Sequence, residues 1–140
     1  MTTTIQTLQN MKQIIIVNET LKMPKKRRVA QMSQASIGAY FEAGKDAKKV
    51  WLKEGRPKIV LQALDQDDLQ DLRSKAERNK LPIYFVEHKT RAANPTGMIA
   101  CMGIGPVADS QIDALIEVFN YYRWVRESAL NARIEEAALV

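Results

Sequence analysis

The sequence predicts a single α/β domain with helices on both faces of one sheet. Three observations carry this. Four short apolar runs alternate with helical stretches in the order β-α-α-β-α-β-β-α. Only one strand-to-strand connection lacks a helix, so parallel neighbours are expected elsewhere in the sheet. The 140 residues are 46% hydrophobic, enough for one packed core and too short for two domains.

Residues 1–10 are polar and read as a flexible lead-in. Gln13 to Val17 (QIIIV) is a β-branched run expected to form a buried strand. A loop follows from Asn18 to Pro24. Lys25 to Ala43 predicts a helix with Val29, Met32, Ser36 and Tyr40 on its inward stripe, opened by Pro24 and stopped by Gly44. Asp46 to Glu54 fits a short second helix broken by Gly55-Arg56-Pro57. Lys58 to Gln62 is a second strand. Asp65 to Lys80 is a helix with Leu69, Leu72 and Ala76 inward, and Asp65 and Asp68 suit its N-cap and third position. Leu81 to Val86 is a third strand, and Pro82 near its start suggests an early or edge position. Glu87 to Gly97 reads as a polar loop. Met98 to Ile104 is a fourth strand closed by Gly105-Pro106. A last helix begins at Asp109 or Ser110, packs through Ile112, Leu115, Ile116 and Phe119, and extends through 120–139 without Gly or Pro. The strand pair without a helix between them can be antiparallel.

Composition excludes several classes. No apolar run is long enough to span a membrane, and the N-terminus lacks the apolar core of a secretory signal. One cysteine, Cys101, rules out an internal disulfide, and no Cys/His cluster offers a metal site. Gly103-Ile104-Gly105-Pro106 is not a dinucleotide fingerprint, and no Walker lysine motif is present. A soluble cytoplasmic protein with neither metal nor cofactor is expected.

The charge is sided. Net charge is +5, and five of the seven residues from Lys22 to Arg28 are basic. Acidic residues gather at Asp65 to Asp71. Cations at a helix start oppose the helix dipole, so a basic cluster there implies an anionic ligand such as a phosphate backbone. An ordinary solvated face or a nuclear import signal (PKKRRV) are the competing readings. Ligands in such sheets sit outside the carboxyl ends of the strands. There, after the third strand, Glu87, His88, Lys89, Thr90 and Arg91 place a carboxylate, an imidazole and a hydroxyl within reach of general-base chemistry. Aromatics and arginines interleave from Tyr121 to Arg126, a pattern suited to packing or dimerisation.

These residues also resemble a known family. Leu21-Lys22-Met23, a basic run, Ala30-Gln31-Met32-Ser33-Gln34-Ala35, Trp51, Gly55-Arg56-Pro57-Lys58, Asp65 and Met102-Gly103-Ile104-Gly105-Pro106 follow the order and approximate spacing of the type-2 peptidyl-tRNA hydrolases. The resemblance implies a four-stranded mixed sheet flanked by helices over residues 11–119, and the C-terminal helical extension expected at 120–140 runs past the family's usual end. It implies a homodimer and hydrolysis of the ester joining a peptide to tRNA. It places functional positions on Lys22, Lys25, Arg27 and Gln31. The catalytic set expected is Lys22 with Glu87, His88 and Thr90, and the tRNA-binding set is Lys25, Lys26, Arg27, Gln31, Lys89 and Arg91. The sequence departs from the family at Pro24 and Lys26, which replace glycines, and at Gln34, which replaces a histidine. In the loop after the third strand, the family aspartate falls on His88 or Glu87 depending on register. A non-catalytic tRNA-binding protein on the same fold is the alternative expectation.

Overall fold

A computed structural model describes residues 10–63, 65–88, 98–120 and Trp124. Its strands are β1 (Met11–Asn18), β2 (Lys58–Ala63), β3 (Ile83–His88) and β4 (Met98–Ala108). Its helices are α1 (Lys25–Glu42), α2 (Lys45–Lys53), α3 (Gln66–Arg78) and α4, residues 109–120. The sheet order is β2-β1-β4-β3. β1 and β2 are parallel, whereas β4 is antiparallel to both β1 and β3. The expected mixed sheet is therefore present, and β3, which follows Pro82, lies at an edge.

Alternation along β1 divides the core into two layers. Ile14 and Ile16 join Leu69, Leu72, Ala76, Ile112, Leu115 and Phe119 beneath α3 and α4. Ile15 and Val17 face the other way and pack with Ala35 and Cys101 beneath α1. The side chain of Asp65 accepts the N–H of Asp68 at 2.9 Å and caps α3 as its sequence requires. On the far side, Lys12 Nζ reaches Asp113 Oδ1 at 2.7 Å, tying β1 to α4. That hydrogen bond raises the Lys12 pKa.

The structure corrects three expectations. The inward face of α1 is only partly the expected stripe: Met32 packs on the core and Ser36 meets Gln13, but Val29 is 61% exposed, and the fully buried positions are Gln31, Ala35 and Ala39. Small residues face the sheet because α1 approaches it closely. A Cβ at Gly103 of β4 would lie 2.5 Å from the Ala35 carbonyl oxygen, so only glycine fits there. Second, Glu87 and His88 are not loop residues. They extend β3, paired with Ile99 and Met98 across a register shift after Val86. Third, β4 does not close at Gly105-Pro106. It runs on to Ala108, with Gly105 at φ 99 and a cis Gly105–Pro106 bond. Continued pairing supports this run: Val107 and Ala108 partner Lys12 and Met11, and Gly105 N–H donates to Pro82 O at 2.9 Å.

Gly44 also acts differently from a left-handed stop. Ala43 and Gly44 are both extended, and Gly44 caps the start of α2. The left-handed residues come at the end of α2, where Gly55 and Arg56 have φ 92 and 60 and turn the chain into β2. Buried Gln13 then joins the layers. Its amide donates to Ser36 O and Gly105 O, both at 3.0 Å, and its oxygen accepts Ser36 Oγ at 2.6 Å.

Candidate functional site

The carboxyl ends of β1, β2 and β3 and the start of β4 all lie at one end of the sheet, as the strand registers require. The turn carrying Lys22 leaves β1 there, and α1 begins there. Pro24 is the N-cap of α1 and lends it no side-chain bond, and the first turn holds no acidic residue. Lys25, Lys26 and Arg27 are exposed around that start, as is Lys22 before it. Arg28 is used differently. It is partly buried, pairs with Glu19 at 3.0 Å and donates to Leu21 O at 2.8 Å, so it braces the turn from behind. The basic cluster thus separates into four solvent-facing cations and one structural arginine.

One turn further along α1, Gln31 is 9% exposed, and its Oε1 has no hydrogen-bond partner among the described residues. A buried acceptor without a donor is uncommon and marks a place where a ligand group can bind. Cys101 packs with Ala35 on the same face of the sheet, and burial pushes its thiol up to about 12, leaving it protonated and inert.

The strand geometry of Glu87 and His88 sets them apart. Val86 pairs with Cys101, and both pack on the α1 side. Glu87 pairs with Ile99, a core residue of the α3 and α4 side, and His88 pairs with Met98. Successive strand residues point to opposite faces, so Glu87 is on the α3 side and His88 on the α1 side. The structure therefore brings His88, Gln31 and the basic start of α1 to one face. It places Glu87 on the other face and exposed to solvent. His88 Nδ1 is shielded from solvent and has no hydrogen-bond partner among the described residues. Lys89, Thr90 and Arg91 lie outside the described residues, as does the Tyr121–Arg126 stretch apart from Trp124, which is 63% exposed.

Sequence reasoning missed Asn18. It is fully buried, yet it ends an apolar strand at the carboxyl end of the sheet, on the α3 side. Its Nδ2 donates to Ile99 O at 2.9 Å and to Gln66 Oε1 at 3.4 Å. Its Oδ1 accepts Thr20 N–H at 3.0 Å and Thr20 Oγ1 at 2.6 Å. An amide directly after four β-branched residues was the available signal. Among the described residues, no three His, Cys, Asp or Glu side chains gather where they could hold a metal ion. No helix among them is long and apolar enough to cross a membrane.

The sequence is similar to known proteins. The profile of a family described as "Peptidyl-tRNA hydrolase PTH2" matches residues 11–122. A protein of Methanopyrus kandleri named peptidyl-tRNA hydrolase is 36% identical over 104 residues, covering 73% of this chain and 90% of its own length. One of the same name from Methanothermobacter thermautotrophicus is 34% identical over 105 residues, covering 75% and 94%. A Dictyostelium discoideum protein named probable peptidyl-tRNA hydrolase 2 is 33% identical over 114 residues, covering 79% of this chain and 54% of its own length. The matched region takes in all four strands and the helices on both faces, and by that extent the chain belongs to the peptidyl-tRNA hydrolase PTH2 family.

Proposed function

We propose that this protein hydrolyses the ester bond between a peptide, or an N-blocked amino acid, and the 3′ end of tRNA. The observation that carries this reading is the family match over residues 11–122. The charge distribution supports it: exposed Lys25, Lys26 and Arg27 offer a tRNA backbone both positive side chains and the free N–H groups of a helix start.

In the reaction, water attacks the ester carbonyl carbon, the bond from that carbon to the ribose oxygen breaks, and free tRNA and a peptide carboxylate leave. Lys22 stabilises the oxyanion that forms on the carbonyl oxygen, because a fixed positive charge there lowers the barrier. His88 takes the proton from water and passes it to the departing ribose oxygen. It is preferred over Glu87 because it shares the α1 face with Gln31. Gln31 Oε1 accepts a hydrogen bond from the bound acceptor end, and Thr90 helps place the water. Lys89 and Arg91 add to the grip on tRNA. The ester is already activated, so this modest machinery suffices without a cofactor. The protein acts in the cytoplasm as a homodimer, a state supported by the exposed apolar Val29, Ile37 and Val60 beside one another on α1 and β2.

The test is cleavage of an N-acetylated aminoacyl-tRNA labelled in its amino acid. Wild type releases the label, and Lys22→Ala loses roughly 10²-fold or more in kcat, as does removal of an oxyanion donor elsewhere. Wild-type turnover in Lys22→Ala removes Lys22 from the mechanism. Salt-sensitive retention of tRNA with no cleavage by wild type replaces the hydrolase reading with a tRNA-binding one. Sedimentation velocity reads the dimer directly.

A further inference from the structure

We propose that the buried Asn18 carboxamide is a positioning residue that holds the Lys22 turn in register with the end of the sheet. This rests on the reading of Lys22 given above. The turn is clamped from two sides. Asn18 Oδ1 grips Thr20 through both its N–H and its hydroxyl. Glu19 N–H donates to Ala63 O at 3.0 Å, and Arg28 holds Leu21 O and the Glu19 carboxylate. Every residue from Glu19 to Leu21 is thus fastened immediately before Lys22.

The other half of the Asn18 amide faces across the sheet. It donates to Ile99 O, and Ile99 is the register partner of Glu87, the neighbour of His88. One side chain therefore references the Lys22 turn against the strand that pairs with the end of β3. It also reaches Gln66 in the first turn of α3. All four hydrogen-bonding positions of the amide are used, which is what a buried Asn requires and what fixes its orientation. An apolar residue would fill the same site at the end of β1 without ordering the turn. Lys25, Lys26 and Arg27, the α1 cations that bind the tRNA backbone, form none of these hydrogen bonds. The expected signature is consequently a loss in kcat with KM preserved.

Thr20 gives the cleanest test, because it is exposed and its hydroxyl can be deleted without disturbing the core. With N-acetylaminoacyl-tRNA as substrate, Thr20→Val lowers kcat by roughly tenfold, since misplacement of a catalytic group on the order of 1 Å is costly. Its KM and melting temperature stay at the wild-type values. Thr20→Ser, which keeps the hydroxyl, restores kcat. In a Lys22→Ala background Thr20→Val has no further effect. Asn18→Ala gives the larger loss where it folds, and the Thr20 pair decides the matter where it does not. Wild-type kcat in Thr20→Val, equal losses in the Val and Ser variants, or a full Thr20→Val effect in the absence of Lys22 overturns the inference. If Lys22→Ala alone is fully active, the reading of Lys22 has failed and this inference falls with it, a result distinct from any Thr20 outcome.

Discussion

Replacing Gly103 by alanine tests how closely α1 is held to the sheet. The added Cβ would lie 2.5 Å from the Ala35 carbonyl oxygen and 2.9 Å from its carbon, both backbone atoms of α1. Ordinary contact starts at 3.4 Å, so the helix must retreat by roughly 0.9 Å. Neither partner can yield by rotating a side chain, and β4 is fixed between β1 and β3. Overpacking of this kind costs roughly 1–3 kcal/mol. For a chain of this size that is a drop of roughly 3–15 °C in melting temperature. Retreat of α1 also moves Gln31 and the basic first turn relative to His88, and a shift on the order of 1 Å in a catalytic arrangement can lower turnover roughly 10²-fold. The assay is thermal unfolding by circular dichroism beside cleavage of N-acetylaminoacyl-tRNA. Gly44→Ala is the control. A Cβ at Gly44 meets nothing within 4 Å, and its φ of −67 suits any residue. A Gly103→Ala protein as stable and as active as wild type, or one less affected than Gly44→Ala, refutes the reasoning.

Three further outcomes follow from individual contacts. Cys101 resists alkylation in the native protein and reacts only on unfolding. Its thiol pKa is raised to about 12 by burial, above that of the unfolded chain, so the associated stability is complete below about pH 9 and is lost as pH rises toward 12, which Cys101→Ala should diminish in a pH series of denaturant melts. Asp65→Ala removes the α3 cap and lowers stability by about 1 kcal/mol in urea titrations, with Asp65→Asn close to wild type. Joint replacement of Lys25, Lys26 and Arg27 by alanine weakens tRNA binding and reduces the salt slope by about 2–3, since each backbone contact contributes roughly 0.7–0.9.

The elements were legible because their signals are local. Asp65 announces the α3 cap, and Leu69, Leu72 and Ala76 repeat on the helical period that they bury. The order of apolar runs announced four strands, and Pro82 marked the edge. The α1 face was only partly legible, for a physical reason. Hydrophobicity selects Val29 and its stripe, but close approach to Gly103 selects small residues, and Ala35 and Ala39 win the contact. That leaves Val29, Ile37 and Val60 as exposed apolar surface. The end of β4 was misread because Gly105-Pro106 is usually a stop, whereas here pairing with Lys12 and Met11 continues beyond it. Within the site, the basic cluster was visible but its division was not. Nothing in a run of five cations says that Arg28 turns back to Glu19 and Leu21 while its neighbours face solvent.

The adjacency of Glu87 and His88 shows why sequence spacing misleads about chemistry. Two groups side by side in a loop could cooperate on one water. The same two in a strand cannot, because alternation sends them to opposite faces of the sheet. Val86 packs on the α1 side with Cys101, so Glu87 turns to the α3 side, opposite Ile99 of that core, and His88 returns toward α1. The distinction is measurable. His88→Ala lowers kcat for N-acetylaminoacyl-tRNA roughly 10²-fold or more, the usual contribution of a general base. Glu87→Gln, altering an exposed residue on the far face, leaves kcat within about twofold. The reverse ranking would mean that the water is activated from the α3 side, next to Asn18 and Gln66, and that substrate approaches the sheet from the other face.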